Sequence, residues 1–187
     1  PEFRKGFRDN GYELVGWMEV GFVHMFSTKP VRSMEEMRSR RVWLWQGDPI
    51  GQAFFKASGI SPIPLSIVDV YTSLSTGLID TAYAPPLGAI ALQWFTKSRY
   101  VLQQPLTYAI GGLVISRAAL QSLPPDQRRL LRQEAAITTR TIVKHSRSFN
   151  AKAMARLAEL MVGTDTGATV EETSLLQGQL RELAVDR

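Results

Sequence analysis

The stretch from Arg41 to Asp80 constrains this chain most. It reads as strand, helix, short strand, helix, strand. From Arg41 to Gln46 bulky apolar residues alternate, so Trp43 and Trp45 share one face and Val42 and Leu44 the other. Gly47-Asp48-Pro49 ends that strand. Asp48 is placed to cap the next helix, and Pro49 suits its first turn. Ala53, Phe54 and Ala57 give the helix an apolar stripe, and Gly59 stops it. Ile63-Pro64-Leu65 is extended. Asp69 opens a second helix that Gly77 closes, and Ile79 to Tyr83 is the following strand. Strands alternating with helices predict an α/β fold with helices around a mostly parallel sheet. Ligands on such sheets sit beyond the carboxyl ends of the strands. Those ends are Gln46 to Pro49 and Tyr83 to Pro86, so Trp43, Trp45 and Tyr83 are expected to face one crevice.

Two runs, Tyr12 to Glu19 and Val20 to Ser27, are strand-like ahead of this segment. The second is apolar on both faces, as in a buried central strand, and Gly21 within it allows a bulge or a close backbone approach. Ser33 caps a short helix with Glu36 at the capping-box position. Leu87 to Phe95 is expected to be helical. Pro105 to Ser116 is a long apolar strand with Gly111-Gly112 at its middle, which predicts a kink and a hinge between lobes. A long helix starts near Pro125. Leu131, Ala135, Thr138, Ile142, Phe149, Ala153, Leu157 and Leu160 recur at helical steps with no Gly or Pro among them. At ~1.5 Å per residue it is about 55 Å long, enough to bridge two lobes. Val170 to Ala184 reads as a final amphipathic helix.

Across 187 residues the net charge is +5. Between Pro125 and Val162 eight basic residues stand against three acidic ones, and the remainder is neutral. The basic excess therefore belongs to one helix. Its charges surround several faces and no aromatic residues interleave with them, so nucleic acid is not an expected partner. The chain has no cysteine, which excludes disulfides and thiolate metal sites. No apolar run reaches the ~20 residues that span a bilayer. Pro1 to Asn10 is polar and reads as the tail of an earlier helix, so the chain is expected to begin inside a longer protein.

Catalytic chemistry finds little support. The two histidines, His24 and His145, lack metal-ligand spacing. No Gly-x-Ser-x-Gly motif, phosphate loop or dinucleotide fingerprint occurs, so no cofactor and no metal are expected. His24 lies in the central strand, either reaching the crevice or simply buried. His145 lies on the basic helix and reads as a surface or packing residue. A hydrolase or lyase using His24 remains an alternative. So does an interaction domain that docks through the basic helix without binding a solute.

The order of these pieces resembles the solute-binding proteins of TRAP-type (tripartite ATP-independent periplasmic) transporters. The match is carried by Gly21-Phe22, Ser27 to Ser33, Arg41-Val42 and Gly59 to Pro64, and most specifically by Asp69-Val-Tyr-Thr-Ser-Leu-Ser-Thr-Gly-Leu-Ile-Asp80. Ile115-Ser116 followed by Leu123-Pro124 also fits. The resemblance implies the periplasmic solute-binding-protein type of α/β fold, and covers only the C-terminal portion of the family. Residues 1–26 would form a hinge strand and a remnant of the first lobe, and 27–104 the second lobe. Residues 105–124 would return through the hinge, 125–163 form the lobe-spanning helix and 164–187 the last helix. It implies a periplasmic receptor that is not an enzyme. Such a receptor closes on a small organic solute and passes it to a TRAP-type membrane permease.

The same resemblance shows a departure. The arginine that pairs a solute carboxylate in typical members falls on Trp43. A second arginine falls on Val23, an asparagine on Ala84 and an aromatic residue on Ile67. A polar hinge residue falls on Gly111. The carboxylate clamp is therefore replaced by apolar and aromatic groups, and an aromatic or hydrophobic solute is expected. It would stack on Trp43, Trp45 and Tyr83, with His24, Gln46 or Asp48 giving polar contacts; a cationic solute over the tryptophans is the alternative. Strand edges left open by the missing first lobe predict an oligomer or contact with a missing partner.

Overall fold

The computed structural model describes residues 2–161. The expected helix from Val170 to Ala184 lies outside the described residues. Two compact units divide the chain. One holds the residues up to Gly21 together with Tyr108–Asn150, and the other holds Phe22–Thr107 and the residues from Ala151 on.

The first unit contains helix α1 (Glu2–Asp9) and strand β1 (Tyr12–Ser27) as far as Gly21. It also takes nearly all of strand β6 (Thr107–Ser116), helix α6 (Arg117–Ser122) and helix α7 (Pro125–Leu160) as far as Asn150. β6 pairs with β1. β6 is one continuous strand through Gly111 and Gly112. The second glycine is closely packed: a Cβ there would lie 3.0 Å from Leu14 Cδ1. Gly21 does take an unusual backbone, with φ +120°, and the Asn150 amide fills the space beside it. Glu13 is buried and receives Arg8 at 3.0 Å and Arg132 at 3.4 Å. On α7, Arg147 grips Glu19 with two hydrogen bonds of 2.5 and 2.6 Å, and the Tyr108 hydroxyl donates to the same carboxylate at 2.7 Å.

In the second unit the alternation of strands and helices appears as expected. Helix α2 (Met34–Arg38) is followed by β2 (Trp43–Trp45), α3 (Pro49–Ser58), β3 (Ile63–Leu65), α4 (Val70–Thr76), β4 (Thr81–Ala84), α5 (Pro86–Ala91) and β5 (Tyr100–Val101). The local signals work as chemistry dictates. Ser33 Oγ accepts the Glu36 N–H at 3.1 Å, and the Glu36 carboxylate accepts the Arg32 N–H at 2.8 Å. Gly59 and Gly77 close α3 and α4 in the left-handed region, at φ +71° and +74°. The helix expected over Leu87 to Phe95 stops at Ala91, because Gln93 turns left-handed (φ +58°) before a short 3-10 turn over Trp94–Thr96.

The sheet is mixed rather than mostly parallel. β2 and β3 are parallel, and Val42 bridges Thr81 in the parallel sense. β1, however, runs antiparallel to both β4 and β5, with His24 opposite Ala84 and Ser27 opposite Thr81. Strand-helix-strand units fix the direction of β2, β3 and β4. β1 lies outside those units, so its direction is settled by what it packs against.

Two apolar clusters flank β2. Trp43, Phe26, Val70, Leu74, Ile79 and Trp94 belong to one, with Leu157 and Met161 from the α7 end. Val42 and Leu44 belong to the other, with Met25, Met34, Met37, Phe55 and Ile60. The alternation in β2 thus sends successive side chains to opposite faces, both covered.

Candidate functional site

The carboxyl ends of β2 and β4 bring Trp43, Trp45 and Tyr83 together. The Tyr83 ring lies 4.9 Å from the Trp43 ring at 30°, and 5.9 Å from Phe55. The Tyr83 hydroxyl accepts the Trp45 backbone N–H at 3.1 Å. Burial pushes the Tyr83 phenol above its ordinary pKa, and the nearby Asp48 charge adds to that rise.

The expectation that a solute stacks on Trp43 is corrected. Trp43 is 1% exposed, its ring meets Trp94 edge-on at 5.4 Å, and its Nε1–H donates to the Leu65 carbonyl at 3.0 Å. Trp43 and Trp45 do share a face, but the covering layer ends between them: Trp45 is 52% exposed. Val23, His24 and Ala84 are also buried, which closes their side chains to a solute in this conformation. The His24 ring sits 2.9 Å from the Leu102 carbonyl through Nδ1, and burial holds its pKa below the usual histidine range. His145 is exposed on α7 and stacks on Phe149, itself an exposed residue of a stripe expected to face inward.

Of the predicted site residues in the second unit, Trp45 and Gln46 are exposed, and Asp48, Tyr83 and Ile67 are half-buried. The backbone N–H of Gln46 donates to the Leu65 carbonyl at 3.2 Å. Asp48 caps α3 as its position dictates, one carboxylate oxygen accepting the N–H groups of Ile50 and Gly51, each at 3.0 Å. Ile67 packs on the Trp43 cluster. Gly111 is in the first unit, on β6, with room beside it before Met18 at 3.7 Å. A methionine-lined cavity beside Met25, Met34 and Met37 measures about 20 Å³, which suits a water molecule and not a solute. No group of three or more potential metal-binding side chains occurs among the described residues.

Asp80 does more than close the signature string. Its carboxylate accepts the Arg41 N–H at 3.0 Å and the Thr81 hydroxyl at 3.1 Å, and Arg41 Nε lies 3.5 Å away. Thr81 in turn meets Ser27 on β1 at 3.0 Å. This buried knot joins β1, β2 and β4 at the end opposite to Trp45. Asp80 closing the signature string was the only sequence trace of it.

Known proteins give the context. The chain is 30% identical to the uncharacterised protein YiiZ of Salmonella typhimurium strain LT2 over 128 residues, covering 68% of this chain and 38% of that protein. It is 27% identical to the 2,3-diketo-L-gulonate-binding periplasmic protein YiaO of Escherichia coli K12 over 142 residues, covering 74% and 42%. This chain therefore spans about two fifths of the length of these relatives. Among solved structures, a TRAP periplasmic solute-binding protein from Sulfitobacter sp. NAS-14.1 with bound β-D-galacturonate superposes with a TM-score of 0.81. It has 18% identity, over 98% of this chain and 63% of that one. The family model for bacterial extracellular solute-binding protein, family 7, matches residues 1–182. Nearly the whole chain carries that match, and it belongs to family 7 of the bacterial extracellular solute-binding proteins, the receptors of TRAP-type transport.

Proposed function

We propose that this chain is part of a periplasmic receptor that binds a small aromatic or hydrophobic solute and delivers it to a TRAP-type membrane permease. The observation that carries the reading is the fate of Trp43. It stands where the family resemblance expects an arginine for a carboxylate, and its only polar hydrogen is committed to Leu65. Beside it the solvent meets an exposed indole, Trp45, and the edge of Tyr83. A solute carboxylate would find no guanidinium at this position, and an anion left without its partner binds several kcal/mol more weakly. The proteins holding diketogulonate and galacturonate take acidic sugars; the residues here favour a flatter, less acidic solute. The hydrolytic alternative is disfavoured because the His24 ring is buried and, among the described residues, no nucleophile is hydrogen-bonded to it.

Ligand-shift melting across a solute library tests this. Aromatic and hydrophobic solutes should raise Tm, with a stabilisation of about 2.7 kcal/mol at a hundred-fold excess over Kd. Trp45→Ala should reduce the shift. Strong stabilisation by C4-dicarboxylates or hexuronates that Trp45→Ala leaves unchanged would overturn the reading.

A further inference from the structure

We propose that the solute carries a protonated amino group, received by the second carboxylate oxygen of Asp48 and the face of Trp45. The inference rests on the solute-binding reading above and specifies the polar end of its ligand.

The geometry begins with a tight turn. The Asp48 N–H donates to the Trp45 carbonyl at 3.0 Å, and Gly47 between them adopts φ +84°. Residues at the two ends of such a turn lie within about 7 Å of each other at Cα. The turn therefore brings the Cα of Asp48 near that of Trp45, whose side chain is largely open at 52% exposure. A cation is attracted to an indole face within about 6 Å, so one ammonium group can meet both.

Asp48 is the charged side chain of this turn. Oδ1 of Asp48 accepts both helix N–H groups. Among the described residues, Oδ2 accepts no hydrogen bond and Asp48 has no ion-pair partner. The start of α3 brings roughly half a positive charge, which offsets part of the carboxylate and leaves the corner acidic. That helix end is also already capped by Asp48, so it offers no free N–H pair to an acidic solute. The Tyr83 environment agrees: after burial, the Asp48 charge also raises its phenol pKa. The Tyr83 oxygen is occupied as an acceptor by the Trp45 N–H, which leaves its own hydrogen to donate. An amine whose carbon skeleton bears a hydroxyl or ether oxygen could take that donor as well. Primary amines are protonated near pH 7 and need no proton transfer on binding.

The test uses isothermal titration and melting shifts with matched probes: phenethylamine, 2-phenylethanol and phenylacetate, and the same three end groups on an indole ring. Asp48→Asn keeps an N-capping side chain, so the variant should fold. The expected result is tightest binding of the amines, with Asp48→Asn weakening them by about ten-fold or more and leaving the alcohols unchanged. Trp45→Leu should weaken amines and alcohols together. Equal binding of amines and alcohols, indifferent to Asp48→Asn, would overturn the amine and leave the aromatic-solute reading intact. Binding of the carboxylates alone would overturn both.

Discussion

The indole N–H of Trp43 donates to the carbonyl of Leu65, the residue that lies opposite Trp45 in the β2–β3 register. The same carbonyl accepts the Gln46 N–H. One oxygen thus ties the side chain of a buried strand position to the backbone at the strand's exposed end.

Trp43 should consequently behave as a core residue. Trp43→Ala is expected to cost about 3–5 kcal/mol of unfolding free energy. Trp43→Arg should cost at least as much, because the guanidinium would enter an apolar cluster without a carboxylate. Urea titration followed by far-UV circular dichroism measures both. A loss under 1 kcal/mol for the alanine variant would contradict the packing described.

Asp80 should be the most sensitive acidic residue of the second unit. Asp80→Ala leaves the Arg41 N–H and the Thr81 hydroxyl without their acceptor, and hydrogen bonds to a charged group are worth about 1.5–3 kcal/mol. Asp80→Asn keeps one acceptor oxygen and should lose less. The ordering of the two variants in chemical denaturation is the check.

The first unit should lose stability in acid through Glu13. The hydrogen bond from Arg8 holds this carboxyl below the usual glutamate range, with Arg132 helping, although burial opposes them. The folded pKa thus lies below the unfolded value. Its contribution is complete above the unfolded pKa of about 4.3 and disappears as pH falls through the lower folded value. Glu13→Gln should flatten stability against pH in that acidic window, as read by urea midpoints from pH 3 to 6.

His24 predicts a second dependence at milder pH. Burial disfavours its imidazolium, and the folded pKa lies below the unfolded value of about 6.5. Above 6.5 both states are neutral and the group has no effect. As pH falls toward the folded pKa the unfolded chain binds the proton first, and stability declines. NMR titration of the His24 ring should give a midpoint below about 6.5.

Gly21→Ala tests the backbone of β1. At φ +120° a side chain is strained, and its Cβ would stand 2.6 Å from Asn150 Nδ2. A loss of about 1–3 kcal/mol is expected. A second variant, Gly6→Ala, has open space around it and should be neutral or slightly stabilising, since Gly6 sits inside α1.

Much of the second unit was legible because its signals are local. Asp48 with Pro49, Gly59, Gly77 and the Ser33–Glu36 pair each act within one turn of chain, and each appears where chemistry puts it. The early stop of α5 was not legible, since nothing about Gln93 announces a left-handed residue. Nor did the sequence announce the close approach at Gly112, since Leu14 is nearly a hundred residues away in sequence.

The sequence by itself determined the alternation of strands and helices, the caps, the length of α7 and the shared face of Trp43 and Trp45, because each depends on spacing along the chain. Only the tertiary structure decided that β1 runs antiparallel to β4 and β5, that Asp80 joins three strands and that Trp43 is sealed while Trp45 is open. Period-two alternation assigns a side chain to a face, but where the covering layer ends depends on Trp94, Leu65 and Leu157, which are distant in sequence and meet β2 or its cluster only on folding.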